Sequence, residues 1–498
     1  MNDLTSLPAL PAGLEANLRR LNPWWRGLPT LPLPPLRRWA FPLALRRLKG
    51  GPAKITVLSG PRQVGKSTLV LQLIQTLLDE GTPPDHICYV QFDELPERLK
   101  TPEPILRLAD WFEQQVLHKT FNQAAQDGQP AYLFLDEVQN LDAWAPQLKF
   151  LVDTSAVRVL VTGSSSLRIE QGRDSLAGRI STLEMGPLLL REIAELRGLG
   201  QLAPALPVNG LAPLREKAFW LALRDYGRAQ RDVRDAAFVA FSGRGAYPVA
   251  HAFPGVSWDE LADQLNETVI RRAIRHDLRV GLRGARRDVQ LLEEVFRLAC
   301  RYAGQSPKQA LYLDEIRRAL AADVGWQRIL AYLKFLDGAL LIRLIEPLEL
   351  RLKRPAGAQK LCLCDHALRA SWLQEIVPLD AAGLERQPHL RDIAGRIAES
   401  AAGYFLKSIT GLDVAHFPER PAEPEIDFIL TVGEQRIPVE VKYRSRVTWD
   451  DTRGLRSFIE KTIYNAPFGV IVTLSDAPAA ADDPRIVSLP LSSLLLLR

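Results

Sequence analysis

The sequence predicts an α/β protein built on a parallel sheet, with a basic helical middle and a second α/β segment at its end. Three observations carry this prediction. From Ile55 onward, short apolar runs ("ITVL", "ICYVQF", "AYLFL", "VRVLVTG") alternate with amphipathic stretches of helical period, the pattern of βαβ units. "GPRQVGKST" then joins the first run to a helix through a glycine-bearing turn. After residue 376 the chain returns to mixed α/β, with a loop rich in Pro and Glu near 418–425.

Each segment follows from its composition. Residues 1–50 are Pro- and Trp-rich and carry eight Lys/Arg against two Asp/Glu, which predicts a basic arm packed on another domain. A core over 51–185, a helical lid over 186–260, a helical linker and winged helix-turn-helix over 261–375 and a last α/β domain over 376–498 complete the expected order. The 498 residues are 47% hydrophobic and 24% charged, and no window approaches the ~20 apolar residues that span a bilayer. Asp3, Glu15 and several prolines stand where a secretory signal would be apolar, so a cytoplasmic protein without membrane contact is expected. Four cysteines at irregular spacing suit neither a disulfide framework nor a zinc site.

"GPRQVGKST" fits the phosphate-binding loop at Gly60, Gly65, Lys66 and Ser67, with Thr68 beside them. Backbone N–H groups of such a turn converge on phosphate oxygens, and the helix N-terminus adds a favourable dipole. Lys66 would neutralise β and γ phosphates, and Ser67 would ligate Mg²⁺. About 70 residues on, "AYLFLDEVQ" ends an apolar strand in Asp136 and Glu137. Asp136 is suited to hold Mg²⁺, and Glu137 to orient or deprotonate the attacking water. ATP and Mg²⁺ are therefore the expected cofactors. "VLVTGSSS" offers Thr162 as a sensor of the γ-phosphate; a strand-end turn of small polar residues is the alternative. Arg179 in "GRDSLAGR", with Arg173 a weaker candidate, would act in a neighbouring subunit's site and make the protein a homo-oligomer; a solvated surface arginine is the alternative.

The set "LNPWW", "GPRQVGKST", "LDEVQ", "TGSSS", "LAGR", "MGPLLLREI" and "GAYPVA" resembles the bacterial and archaeal P-loop ATPases of the AAA_14/DUF4143 type, relatives of the AAA+ and STAND NTPases. The resemblance implies a P-loop NTPase core, a lid, a winged helix and a restriction-endonuclease-like α/β domain.

Residues 265–360 carry 19 Lys/Arg against 11 Asp/Glu, and their pattern reads as three helices followed by a two-stranded wing. In a winged helix-turn-helix, Arg328 and Lys334 on the second helix would face a groove, and Arg351, Lys353 and Arg354 on the wing would meet phosphates. DNA, duplex or branched, is the expected partner; a protein partner docked on the same domain is the alternative.

The last segment holds "AEPEIDFILTVGEQRIPVEVKYR". Glu440 and Lys442, two apart on a strand, share one face, and Asp427 lies on the strand before. Glu399 on the preceding helix would complete the set. Two carboxylates and a lysine suit divalent-metal phosphodiester hydrolysis. The arrangement is similar to the PD-(D/E)xK nuclease core, with isoleucine in place of proline before Asp427. A cross-strand ion pair is the alternative. The whole reads as an ATP-hydrolysing protein that drives or gates action on DNA, with a nuclease-like tail. The alternative is a STAND-type assembly switch.

Overall fold

The computed structural model describes residues 10, 12–93, 102–141, 143–163, 176–206, 210–274, 288–349, 357–420, 423–476 and 483–498. They fall into two compact units, Met1–Met185 and Gly186–Arg498.

In the first unit, strands β1 (Ile55–Ser59), β2 (Ile87–Gln91), β3 (Tyr132–Asp136), β4 (Arg158–Gly163) and β5 (Ile180–Glu184) form a wholly parallel sheet in the order β2-β3-β4-β1-β5. Every residue of β1 and β3 is buried, which is why these strands read as unbroken apolar runs. The four runs anticipated from the sequence are β1 to β4. β5, "ISTLE", lies at the sheet edge with only Leu183 fully buried, so its polar residues mask the strand signal.

The N-terminal arm closes the opposite edge. The Asn22 side chain accepts from Tyr89 N at 2.7 Å and donates to Tyr89 O at 2.8 Å, so an amide side chain takes the place of a neighbouring strand on β2. The indoles of Trp24 and Trp25 donate to Ile87 O at 3.1 and 2.8 Å. Trp25 also packs near Trp111 and Phe112, with ring centroids 6.1 and 5.9 Å away. Farther along, Gln72 donates to Pro34 O and Leu36 O at 2.8 and 2.9 Å. The arm thus runs from the sheet edge to the helix that follows β1.

The second unit holds a mixed sheet in the order β12-β11-β10-β9-β8, made of β8 (Asp413–Phe417), β9 (Ile426–Val432), β10 (Gln435–Lys442), β11 (Gly469–Thr473) and β12 (Ile486–Pro490). β8, β9 and β10 are antiparallel, and β10, β11 and β12 are parallel. Ahead of it come helices Val289–Arg301, Gln309–Leu320 and Trp326–Gly338, then an antiparallel ribbon of β6 (Ile342–Ile345) and β7 (Lys360–Leu363). Helix Arg391–Lys407 packs on this ribbon: Leu363 N donates to Ser400 Oγ at 2.8 Å. Helices Lys217–Ala229 and Arg231–Arg244, in the stretch read from sequence as a lid, belong to this unit. The buried Arg234 ties them to its C-terminal end, donating to Asp476 Oδ1 and Oδ2 at 3.1 and 2.6 Å and to Ser493 Oγ at 2.9 Å. All four cysteines are buried free thiols.

His251 is expected to make this unit acid-sensitive. It is 1% exposed, its Nδ1 accepts from Arg197 Nε at 2.9 Å, and its Nε2–H donates to Gly245 O at 2.8 Å. Both ring nitrogens are satisfied only in the neutral form. Burial, with Arg197 and Arg244 nearby, pushes its pKa down to about 4 against the Gly245 bond. The unfolded chain protonates near the usual value of about 6.5 and the folded one only near 4, so stability is lost as pH falls through this window. The melting temperature is expected to drop on acidification across it. His251→Gln should shallow that slope, measured by thermal unfolding across a pH series.

Candidate functional site

β1 ends at Ser59, the chain turns through Gly60–Gly65, and helix Lys66–Asp79 begins. A Cβ on Gly60 would stand 2.2 Å from Met185 O, and Gly65 adopts φ 92°, so both positions require glycine. Lys66 is 4% exposed, and its Nζ donates to Gly60 O at 3.0 Å and Pro61 O at 2.9 Å, 3.7 Å from Glu137 Oε1. Arg38 of the arm donates to Val64 O, placing a buried cation against the loop.

Asp136, fully buried at the end of β3, gathers the site. Ser67 Oγ donates to its Oδ2 at 2.7 Å, Tyr89 OH donates to the same oxygen at 3.0 Å, and Thr162 donates to Oδ1. Burial raises the Asp136 pKa, the Ser67, Thr162 and Tyr89 bonds oppose that, and the Glu137 charge adds to it. Thr162 also accepts from Glu137 N at 3.0 Å. It therefore locks the two acidic residues together at the strand end. Glu137 has φ 57°, a left-handed conformation unusual for glutamate, and its carboxylate accepts from Gln139. Thr68 lies half-buried in the first turn of the helix.

Arg179 donates from Nε and one terminal nitrogen to Asp153 at 2.6 and 2.9 Å, an ion pair on its own unit's surface. Arg173 lies outside the described residues. Arg328 pairs with Asp288 at 3.4 Å, and Lys334 is exposed on the same helix. Arg351, Lys353 and Arg354 also lie outside the described residues.

The carboxylates of the second unit do converge, around a cation that sequence reasoning missed. Lys360 at the start of β7 is 1% exposed; its Nζ stands 3.0 Å from Asp427 Oδ1 and 3.5 Å from Glu425 Oε1, and it is bonded to Glu399. Burial would lower the Lys360 pKa, but Asp427, Glu399 and Glu425 outweigh it and raise it well above the usual value. Asp427 also accepts from Val441 N at 2.8 Å. Burial works against the Asp427 charge, yet Lys360 and these bonds hold its pKa below the usual range. Glu440 pairs with Lys442 at 2.5 Å, and burial together with Asp427 pushes its pKa up to about 8. An ammonium group thus stands among the carboxylates, and among the described residues no set of three His, Cys, Asp or Glu is arranged to hold a metal ion. These residues do not fit a divalent metal.

A family profile described as "AAA domain" matches residues 52–194, and one described as "Domain of unknown function (DUF4143)" matches residues 395–494. No curated protein matches. Among solved structures, the chain is similar to the Walker-type ATPase PABY2304 of Pyrococcus abyssi at 14% identity, covering 69% of this chain and 99% of that one, with a TM-score of 0.37. It is also similar to the Aeropyrum pernix ORC1 protein in complex with DNA (14% identity, 76% and 95% covered, TM-score 0.28). Drosophila ORC bound to DNA follows at 17% identity, 75% and 96% covered, with a TM-score of 0.24. Among the described residues no helix is long and apolar enough to cross a membrane.

Proposed function

We propose, from the premise that this chain is a P-loop ATPase of the AAA_14/DUF4143 type, that it hydrolyses ATP and couples turnover to a hold on DNA. The observation that carries the ATP chemistry is the contact of Ser67 Oγ with Asp136 Oδ2 at 2.7 Å, with Lys66 Nζ 3.7 Å from Glu137. Two distant motifs meet there, which supports the phosphoryl-transfer reading.

The loop N–H groups and Lys66 hold the phosphates, Lys66 exchanging the carbonyls of Gly60 and Pro61 for phosphate oxygens. Ser67 and Asp136 are the residues that would hold Mg²⁺, which when bound offsets charge on the phosphate oxygens. Glu137 orients the attacking water and takes its proton. Gln139 and the Thr162 bond to Glu137 N fix where that carboxylate points. For Arg179 to serve a neighbouring subunit, as the homo-oligomer reading requires, it must leave Asp153.

Support for the DNA reading comes from the basic middle segment and from the three helices followed by the β6–β7 ribbon, an order compatible with a winged helix. Because Lys360 stands among the carboxylates, the nuclease-like segment is assigned to holding DNA rather than cutting it. The first test is nucleotide binding. A fluorescent ATP analogue is expected to bind with Mg²⁺, and Lys66→Ala should weaken it by roughly 10-fold or more through loss of one buried charge-assisted contact. Equal binding by both proteins would remove the assignment of the loop.

A further inference from the structure

Two cavities of the second unit share one arginine. The first, about 470 Å³, lies where helices Val289–Arg301, His366–Leu373 and Arg391–Lys407 meet. Each helix contributes at least one arginine to it: Arg297 and Arg301, Arg369, and Arg396. Leu373, Ile393 and Ile397 give it apolar walls, and Glu375 is its one acidic lining residue. The second cavity, about 640 Å³, is lined by the same Arg396 with Arg391, Lys442 and Arg444, against Glu385, Asp392 and Glu399.

So many cations side by side repel one another, and the protein's own carboxylates leave several of them open. Arg369 is held by Glu375 and Arg444 by Asp451. Arg301 has Glu315 only at 3.7 Å. Arg297 Nε is 3.3 Å from Glu294, yet it is buried with no hydrogen-bond acceptor. Among the described residues Arg396 and Arg391 have no ion pair. Guanidinium groups in this condition match phosphate oxygens, and apolar walls between them match sugar and base faces. Glu399, which lines the second cavity, would repel a polyanion, but the buried Lys360 pairs with it from within and offsets its charge.

We propose that the two cavities form one path for the sugar-phosphate backbone of a nucleic-acid strand, with Arg396 at the join. This rests on the DNA reading above and gives it a location. The path runs over helix Arg391–Lys407, not over the recognition-helix residues that the sequence singled out. At about 470 and 640 Å³ the cavities are far too small for an intact duplex, which favours a single strand.

The test is fluorescence anisotropy of the full chain with a fluorescein-labelled thymidine oligonucleotide and a labelled duplex across a salt series. The Arg297→Ala/Arg396→Ala protein is expected to bind the oligonucleotide roughly 10-fold more weakly, with the log–log salt slope reduced by about one to two. Arg396→Lys should keep most of the binding, because it keeps the charge; that separates loss of charge from loss of folding. The loss should exceed that of Lys334→Ala. If the arginine pair can be removed without effect while Lys334→Ala abolishes binding, the path is wrong and the DNA reading stands. If the unaltered protein binds neither nucleic acid at low salt, the DNA reading fails and the path with it. Equal competition by inorganic phosphate and the oligonucleotide, at matched ionic strength, would reassign the cavities to a small anion.

Discussion

Glu137→Gln is expected to lower ATP turnover by roughly 10²–10⁴-fold while leaving ATP binding in place. The glutamine preserves the shape and the acceptor oxygen that meets Gln139, and it does not alter the Thr162 bond to the backbone at this residue. What it removes is the group proposed to accept the water's proton. The left-handed backbone at φ 57° is retained by either side chain, so thermal stability should change little. Parallel steady-state hydrolysis and equilibrium binding measurements check this. Loss of binding together with turnover would mean that Glu137 acts through Lys66, 3.7 Å away, and not on the water.

Lys360→Met should destabilise the second unit by about 3–5 kcal/mol at neutral pH, the range found when one partner of a buried ion-pair network is removed. Methionine fills a similar volume, so packing is largely kept and the loss is electrostatic: Glu399 and Asp427 remain together without their cation. Two features separate this from a cavity effect. The penalty should shrink toward acid pH, where the carboxylates protonate, and Glu399→Gln in the same chain should restore part of the stability. Chemical denaturation at two pH values is the measurement. A Lys360→Met protein as stable as the parent would show that the lysine is dispensable among these acids.

How far the sequence could be read depends on how local each signal was. Strands β1 to β4 were legible because a doubly covered parallel strand must be apolar throughout. β5 was not, since an edge strand tolerates the Ser181, Thr182 and Glu184 that fill it. The phosphate-loop residues and Asp136 stood out because each lies in a local motif at the end of an apolar run, whereas Tyr89, the third hydroxyl on Asp136, sits on an unremarkable strand. Thr162 was singled out as a sensor of the γ-phosphate; its hydroxyl binds Asp136 and the Glu137 amide, contacts that no spacing reveals. Likewise Asp427, Glu440 and Lys442 form a hairpin motif, while Lys360 reaches them from 67 residues before Asp427 as the first residue of a four-residue strand. Amphipathic periodicity located the helices of the expected lid without saying which surface they cover. Arg234 and its bonds to Asp476 and Ser493 supply that partner.

Coupling of ATP turnover to DNA can be read from hydrolysis by the full chain in Mg²⁺ with and without single-stranded, duplex and four-way DNA. Glu137→Gln serves as the blank. Stimulation by at least one DNA form is expected, absent in Glu137→Gln and reduced in the Arg297→Ala/Arg396→Ala protein. Turnover that Glu137→Gln abolishes but that every DNA leaves unchanged would refute the coupling, and would assign the nucleotide to an assembly switch with the basic helical segment docking protein.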